Sequence, residues 1–526
     1  MVLPYLLLSG LIMGPLLQPG FVLTMDMVFT PQLRMPDHVD NTFLLYAGLH
    51  VLNMVVPADV LQKILLMSVF VASGFGMYRL LVQRKIGGSL AAHVGGILYT
   101  FNPFVYDRLM AGQYGVLLGY AFLPWFTAAV FAFLRRPAVR QAVVVAAWLI
   151  AISIVSIHAI GFALIVMAGL VWFAWPDIQN KKQMVKLAAI IGGIFIIASS
   201  YWLVPTFLGQ GRIADSVQTF SGSQRQAFMT ADTNGDTSLG AVLGLQGFWQ
   251  DTRDLYILPI DFTPQWGLVR LGVWMLIGLG VWRVWRKRAR EAKLFVWLGA
   301  VAIIFALGIV SDALAAFVPF FAGYREPQKF AMILALSYGY FAAWGAQYLF
   351  ERAARWRVWA QYGVVALLVV LILAYTSPLL WGAQGQLRAA AYPADWQAIN
   401  NRLTSDKEAF SVLYLPWHLY MGYDFAGRIV ASPAPDYFDK PVIVSDNPEL
   451  DGVAPQFYDA TKQAVSQTIL PAIATGRDVA PLLRQHNIRY VLIAKELDYT
   501  QYDNLRSQPH ATLVMQTEHF YLYQVK

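Results

Sequence analysis

The sequence predicts a mainly α-helical, polytopic membrane bundle of about eleven transmembrane helices, followed by a C-terminal extracytoplasmic α/β domain. Three observations predict it. Eleven apolar stretches divide residues 1–378, most of them near the roughly 20 residues a helix needs to cross a bilayer. Lys and Arg gather in short loops on every second turn: Arg79/Arg84/Lys85, Arg135/Arg136/Arg140, Lys181/Lys182/Lys186, the run Arg283 to Lys293, and Arg352/Arg355/Arg357. From about residue 379 the composition shifts toward Asp, Pro, Gln and Tyr, over a tail long enough to bury its own core.

Composition narrows the class further. With 57% hydrophobic and only 13% charged residues, the chain lies outside the soluble globular range. The formal charge of +8 does not point to nucleic acid, because much of the basic excess sits in juxtamembrane clusters that set orientation and meet anionic lipid. With no cysteine there is no disulfide, thiolate metal site or Cys nucleophile. By the positive-inside rule the basic clusters face the cytoplasm. The N-terminus is then cytoplasmic, the tail extracytoplasmic, and the loops with Asp26, Asp107, His158 and Arg325/Glu326 open outward together from an integral plasma-membrane protein.

In chain order the expected spans are about 2–22, 60–82, 87–103, 114–134, 141–157, 159–175, 184–205, 266–285, 293–310, 330–350 and 360–378. The first is read as a retained helix, since it lacks a Lys/Arg n-region and a cleavage site and carries Pro4, Pro15 and Pro19. Residues 141–175 are read as two crossings meeting at Ser156-Ile157-His158, because one crossing would invert every later basic loop. The transmembrane domain thus covers 1–378, with outward loops at 23–59, 104–113, 206–265 and 311–329, and the α/β domain covers 379–526. Within the first loop, Asn41 to Val56 suits a helix lying in the interface plane. In the tail, residues 410–416, 488–493, 511–515 and 520–525 read as strands and 478–486 as a helix. The pairs Gly87-Gly88 and Gly95-Gly96 suit close helix packing.

Polar residues in the outward loops carry the chemistry. Asp26, flanked by Met25, Met27, Val28 and Phe29 near a helix end, is the first candidate: desolvation would make its carboxylate a better base. The bland alternative is a helix-end acid at headgroup depth. Asp37 and Asp40, spaced i, i+3, suit a divalent cation or sugar hydroxyls, or simply a solvated turn. In Asn102-Pro103-Phe104-Val105-Tyr106-Asp107-Arg108-Leu109-Met110-Ala111-Gly112-Gln113, rings beside Asp107 and Gln113 suit sugar faces and hydroxyls and Arg108 suits a phosphate, or else the loop holds a structural Asp107–Arg108 contact and an aromatic belt. In Gly323-Tyr324-Arg325-Glu326-Pro327-Gln328-Lys329-Phe330, two cations on the outer side call for an anion, most simply a lipid phosphate or diphosphate, or else a salt bridge to Glu326. Asp232-Thr233-Asn234-Gly235-Asp236 starts like a calcium loop but has Thr237 where that motif wants Gly and Leu243 where it wants Glu. Trp417-His418 suits either a cleft wall or a packed position in the tail. No phosphate loop, metal-type His cluster or nucleophile elbow appears.

The layout, with the stretches NPFVYDRLMAGQ, YREPQKF and VLYLPWHLY, resembles the GT-C superfamily of integral membrane glycosyltransferases, including arabinofuranosyltransferase-like members. The resemblance implies a polyprenyl-phosphate-linked sugar donor used on the outer face, and an acidic residue of the first outward loop as base. That role falls on Asp26, with Asp37 or Asp40 as substitutes, although no compact Asp-Asp or Glu-x-Asp pair is present. The expected reaction is inverting transfer to a glycan, lipid or protein acceptor. Arg325, Lys329 and Arg108 would meet the donor phosphate, while Asp37, Asp40, Asp107, Gln113, His158 and Glu326 orient sugar and acceptor. The cofactor expectation is none, or else a divalent cation. The alternatives are a lipid-glycan flippase or transporter, disfavoured because the spans are nearly free of charge, and a noncatalytic polysaccharide-assembly protein.

Overall fold

A computed structural model describes residues 1–86, 88–211, 213–214, 222–233, 236–318, 321–357, 359–447, 449 and 459–526. Each apolar stretch forms a helix: Leu3–Met13, Ala58–Gln83, Ser89–Thr100, Tyr114–Arg135, Val139–Val155, Ile157–Ala174, Lys181–Phe207, Trp266–Lys287, Ala289–Ala306, Ala331–Ala354 and Ala360–Tyr375. The sequence expectation is about eleven crossings. Among the described residues five helices are long and apolar enough to cross a membrane, or up to seven if two sharply bent pairs each count as one span. The bends, 88° after Ala306 and 80° after Tyr375, interrupt two of the stretches read as straight spans.

Local chemistry sets the breaks. The first helix ends at Met13 and tightens into a 3₁₀ turn over Gly14–Leu17 instead of running to residue 22, consistent with Pro15 and Pro19, which cannot continue a helix ladder. The 141–175 stretch divides at Ser156, whose backbone is extended (φ −160°, ψ 119°) and whose hydroxyl accepts from the Ala159 amide at 3.4 Å, capping the second helix. Asn102 caps the short Pro103–Met110 helix in the same way, accepting from Val105 N at 3.2 Å while Pro103 supplies a preset φ at its first position.

The chain forms two compact units. The first contains residues 1–14, 36–48 and 64–386. Its centre is the Ala331–Ala354 helix, buried continuously from Ala331 to Ala346. Small residues let neighbours close on it: a Cβ at Gly280 would collide with the Phe341 carbonyl oxygen, and one at Gly95 with the Gly339 carbonyl oxygen. Gly95 thus packs as its sequence position suggests, whereas Gly87 lies outside the described residues and a Cβ at Gly88 would meet open space.

The second unit contains residues 15–35, 49–63 and 387–526, so two N-terminal pieces fold with the tail. Strand β1 (Phe21–Val22) pairs antiparallel with β2 (Ala389–Ala390). The Gln62 side-chain amide completes this edge, donating to Val22 O at 2.6 Å and accepting from Val22 N at 2.9 Å. The strands expected in the tail are present as β3 (Ser411–Leu415), β7 (Ile488–Ala494), β8 (Ala511–Gln516) and β9 (Phe520–Val525). They join β6 (Val442–Ile443) in one sheet of order β6-β3-β7-β9-β8, parallel across β6-β3-β7 and antiparallel thereafter. Leu413, Leu415, Val491 and Ile493 pack with Val465, Ile469, Ile473 and Leu483 of the covering helices. A separate hairpin, β4 (Tyr420–Tyr423) and β5 (Arg428–Ala431), completes the unit.

Candidate active site

In the first unit, Arg108, Gln113, Glu326 and Lys329 converge from two loops far apart in sequence. The Asn102 cap starts a helix that carries Arg108 to a position where it is 1% exposed. There its Nη1 donates to Glu326 Oε2 at 2.9 Å and to Gln113 Oε1 at 2.8 Å. Lys329 Nζ donates to Glu326 Oε1 at 2.9 Å. The salt bridge weighed as the alternative at Glu326 is therefore present, with the carboxylate between two buried cations. The Arg108 guanidinium also lies over the Phe248 ring, 4.3 Å from its centroid. Arg325, half-buried, lies over Phe228 at 4.5 Å and adds a third positive charge beside the pair.

Electrostatics follow from burial. Desolvation acts to raise the Glu326 pKa, but Lys329, Arg108 and Arg325 overcome it and hold the carboxyl well below its ordinary range. Desolvation lowers the Lys329 pKa against the pull of Glu326. Asp107 is buried beside Asp251: desolvation and that second carboxylate push its pKa well up, against the opposing charge of Arg108. Asp251 is raised to about 6 by desolvation, although Tyr256 Oη donates to it at 2.6 Å and the amides of Gly247 and Phe248 each donate at 3.0 Å. Glu326 is paired and Asp107 is pushed toward its neutral form while three cations gather here, so the cluster keeps a net positive character. Among the described residues several buried polar atoms here have no hydrogen-bond partner: Asp107 Oδ1, Arg108 Nε, both side-chain polar atoms of Gln328, Gln250 Oε1 and Trp249 Nε1. Each such group costs about 1–3 kcal/mol while unmet. A desolvated cationic site rich in unmet donors and acceptors suits an anionic, hydroxyl-bearing ligand.

His158 belongs to this unit but meets the chain rather than open space. Its Nε2 bonds Gly323 O at 3.1 Å, and its ring stands edge-on to Tyr324, 5.6 Å away. It braces the loop that presents Arg325 to Lys329. Asp40 accepts from Thr42 N at 2.8 Å and Thr42 Oγ1 at 2.7 Å, fixing the turn before the Phe43–Asn53 helix. Asp37 is exposed. No group of three or more metal-type ligands occurs among the described residues. In the calcium-like loop Asn234 and Gly235 lie outside the described residues, while Asp232 accepts from Ser238 and Asp236 pairs with Arg270.

Asp26 belongs to the second unit. Met25, at φ 41°, turns the chain so that Thr24 and Met27 pair across a tight loop. Met25 N donates to Ile429 O at 3.0 Å and Ala431 N to Met25 O at 2.9 Å, which fastens the loop to β5. Met25 and Met27 are buried, and Asp26 is exposed at the tip, a difference from the apolar cover expected for it. Tyr420 Oη donates to Asp26 Oδ1 at 2.5 Å. Trp417 packs in the core of the unit, and His418 lies between Glu449 (2.6 Å) and Asp498 (3.2 Å).

Sequence reasoning did not single out Tyr420, Asp251, Tyr256 or Gln328. VLYLPWHLY ends on Tyr420, and Gln328 stands inside YREPQKF, so both signals were within quoted motifs. Asp251 sat in a polar loop with no periodic pattern to mark it.

Comparison with known proteins agrees with the resemblance read from the sequence. Residues 44–235, just over a third of the chain, match the family model described as alpha-(1->3)-arabinofuranosyltransferase, N-terminal GT-C domain. The cryo-EM structure of the arabinofuranosyltransferase AftD from Mycobacteria matches 100% of this chain and 40% of its own, at a TM-score of 0.67 and 15% identity. A mutant form of the same enzyme matches 100% of this chain and 41% of its own, at a TM-score of 0.56 and 16% identity. The likeness shows a shared fold, and the chain spans about two fifths of the length of those structures. No curated protein sequence matches it.

Proposed function

We propose that the chain is a membrane glycosyltransferase that moves a sugar, of the pentosyl class in keeping with AftD, from a polyprenyl-phosphate donor to an extracytoplasmic glycan, lipid or protein acceptor with inversion. The observation that carries this reading is the buried cationic cluster of Arg108, Lys329 and Arg325 around Glu326, in a fold shared with AftD. In the proposed step the Asp26 carboxylate takes the proton from an acceptor hydroxyl as its oxygen attacks the anomeric carbon. The bond from that carbon to the phosphate oxygen breaks, and its electron pair leaves on the lipid phosphate, where Arg108, Lys329 and Arg325 stabilise the charge. Gln113, Gln328 and Asp107 supply hydrogen-bonding groups for sugar hydroxyls. Tyr420 orients Asp26. The tail, held to the Asp26 loop within one unit, carries the acceptor.

The test is transfer from a radiolabelled polyprenyl-phospho-sugar by the full chain in proteoliposomes. Asp26→Asn is expected to lower the rate by about 10²–10⁴ with protein yield unchanged, the range of general-base catalysis. Undiminished transfer by that variant would remove Asp26 from the mechanism. Vesicle uptake of the labelled lipid without transfer would instead identify a flippase.

A further inference from the structure

The first unit carries a cationic cavity at the helix ends where the basic loops gather. Lys85, Arg283, Lys287, Arg288, Trp344, Gln347 and Glu351 line a space of about 480 Å³, within the range of small-ligand sites. Four cations face one carboxylate there. That carboxylate is already committed: Glu351 accepts from Arg283 on one oxygen and from Gln347 on the other. Arg288 donates to Glu291 and to the Arg84 carbonyl. Lys85 and Lys287 are exposed and have no ion-pair partner among the described residues. Arg283 is 7% exposed, and its Nε has no hydrogen-bond partner. Gly280 and Gly345 bring the Trp266–Lys287 and Ala331–Ala354 helices, which supply most of the lining, into backbone contact. A pocket with an excess of positive charge and an unmet buried N–H calls for an anion with several acceptor oxygens.

The surroundings indicate where that anion comes from. Trp282 and Trp285, 42% and 46% exposed, stand on the same helix within a turn of Arg283 and Lys287. Arg286 lies over the Trp282 ring at 4.6 Å and Lys293 over Trp285 at 5.9 Å. Exposed tryptophans paired with cations mark headgroup depth in a bilayer. We propose that this cavity binds the phosphodiester headgroup of an anionic membrane phospholipid, a site separate from the Arg108–Glu326–Lys329 cluster.

The experiment uses the full chain purified in neutral detergent, with native mass spectrometry after titration with phosphatidylglycerol or phosphatidylcholine. The expected result is selective retention of the anionic lipid. Lys85→Gln combined with Lys287→Gln should weaken it by roughly 30-fold, at about 1 kcal/mol per juxtamembrane cation. Both side chains are exposed, so the fold tolerates their loss. Arg135→Gln combined with Arg140→Gln, which removes the same charge from another basic loop, should leave retention unchanged. Equal retention of both lipids, equal weakening by the two double variants, or displacement of the lipid by millimolar inorganic phosphate would each overturn the proposal. Because no sugar transfer is measured, the outcome stands apart from that of the glycosyltransferase reading.

Discussion

Replacing Glu326 by Gln tests the organisation of the cationic cluster directly. Glu326 is 5% exposed and is the carboxylate between Arg108 and Lys329, each at 2.9 Å. Gln keeps one acceptor oxygen but removes the charge that both cations face. Removing one partner from a buried ion pair costs about 3–5 kcal/mol. Lys329 offers relief, because burial already depresses its pKa and it can shed its proton when its counterion is gone. The expected loss is therefore at the lower end, about 3 kcal/mol at neutral pH, and it shrinks as pH rises and Lys329 neutralises. Wild-type protein has its own signature. Since the folded pKa of Glu326 lies below its ordinary 4.5, its stabilising contribution is complete above that value and disappears as pH falls through the lower folded one. The assay is equilibrium unfolding in bicelles followed by tryptophan fluorescence, repeated with polyprenyl phosphate. A ligand at 100 times its Kd adds about 2.7 kcal/mol, enough to restore most of the loss. A variant within about 0.5 kcal/mol of wild type, or a deficit that grows with pH, would refute the reasoning.

Three further expectations test other parts of the molecule. Asp251, raised to about 6, contributes stability that is complete below its ordinary 3.8 and is lost as pH rises through 6; phosphate-ligand affinity should fall over the same interval as the cluster gains negative charge, and Asp251→Asn should flatten the profile measured by ligand titration. Tyr420→Phe removes the hydrogen bond to Asp26 and should lower kcat about tenfold without changing the thermal midpoint, in line with a bond to a charged group; an unchanged kcat would detach Tyr420 from the chemistry. Gly280→Leu forces a side chain against the Phe341 carbonyl and should cost about 1–3 kcal/mol, read by the same unfolding titration, whereas a neutral result would contradict the close helix contact.

The helices were legible because a long apolar run is a local signal, and all eleven runs became helices. Their lengths and bends were not, since an apolar run does not show where a helix stops, as at Met13, or that it turns by 88° after Ala306. The tail strands were legible from β-branched and aromatic runs. The pairing of Phe21–Val22 with Ala389–Ala390 was not: two residues carry no periodicity, and the partner is more than 360 positions away. At the site, the sequence reading gave the cations of YREPQKF and the Arg of NPFVYDRLMAGQ an anionic partner, with a lipid phosphate first. In the structure Lys329 and Arg108 both pair with Glu326, which the sequence offered as the alternative for the YREPQKF cations only; for Arg108 it offered Asp107. Asp251 escaped notice because its importance comes from burial beside Asp107, and burial in an aperiodic loop is a property of the folded molecule alone.

The fastening of Met25 to Ile429 and Ala431 has a consequence for biogenesis. Asp26 leaves the ribosome some four hundred residues before the strand that holds its loop. Until that strand is made, the tip of the first loop lacks the backbone partners that define its shape. Chains arrested before residue 428 would carry the acid without its mount, so competence at this position is acquired only late in synthesis.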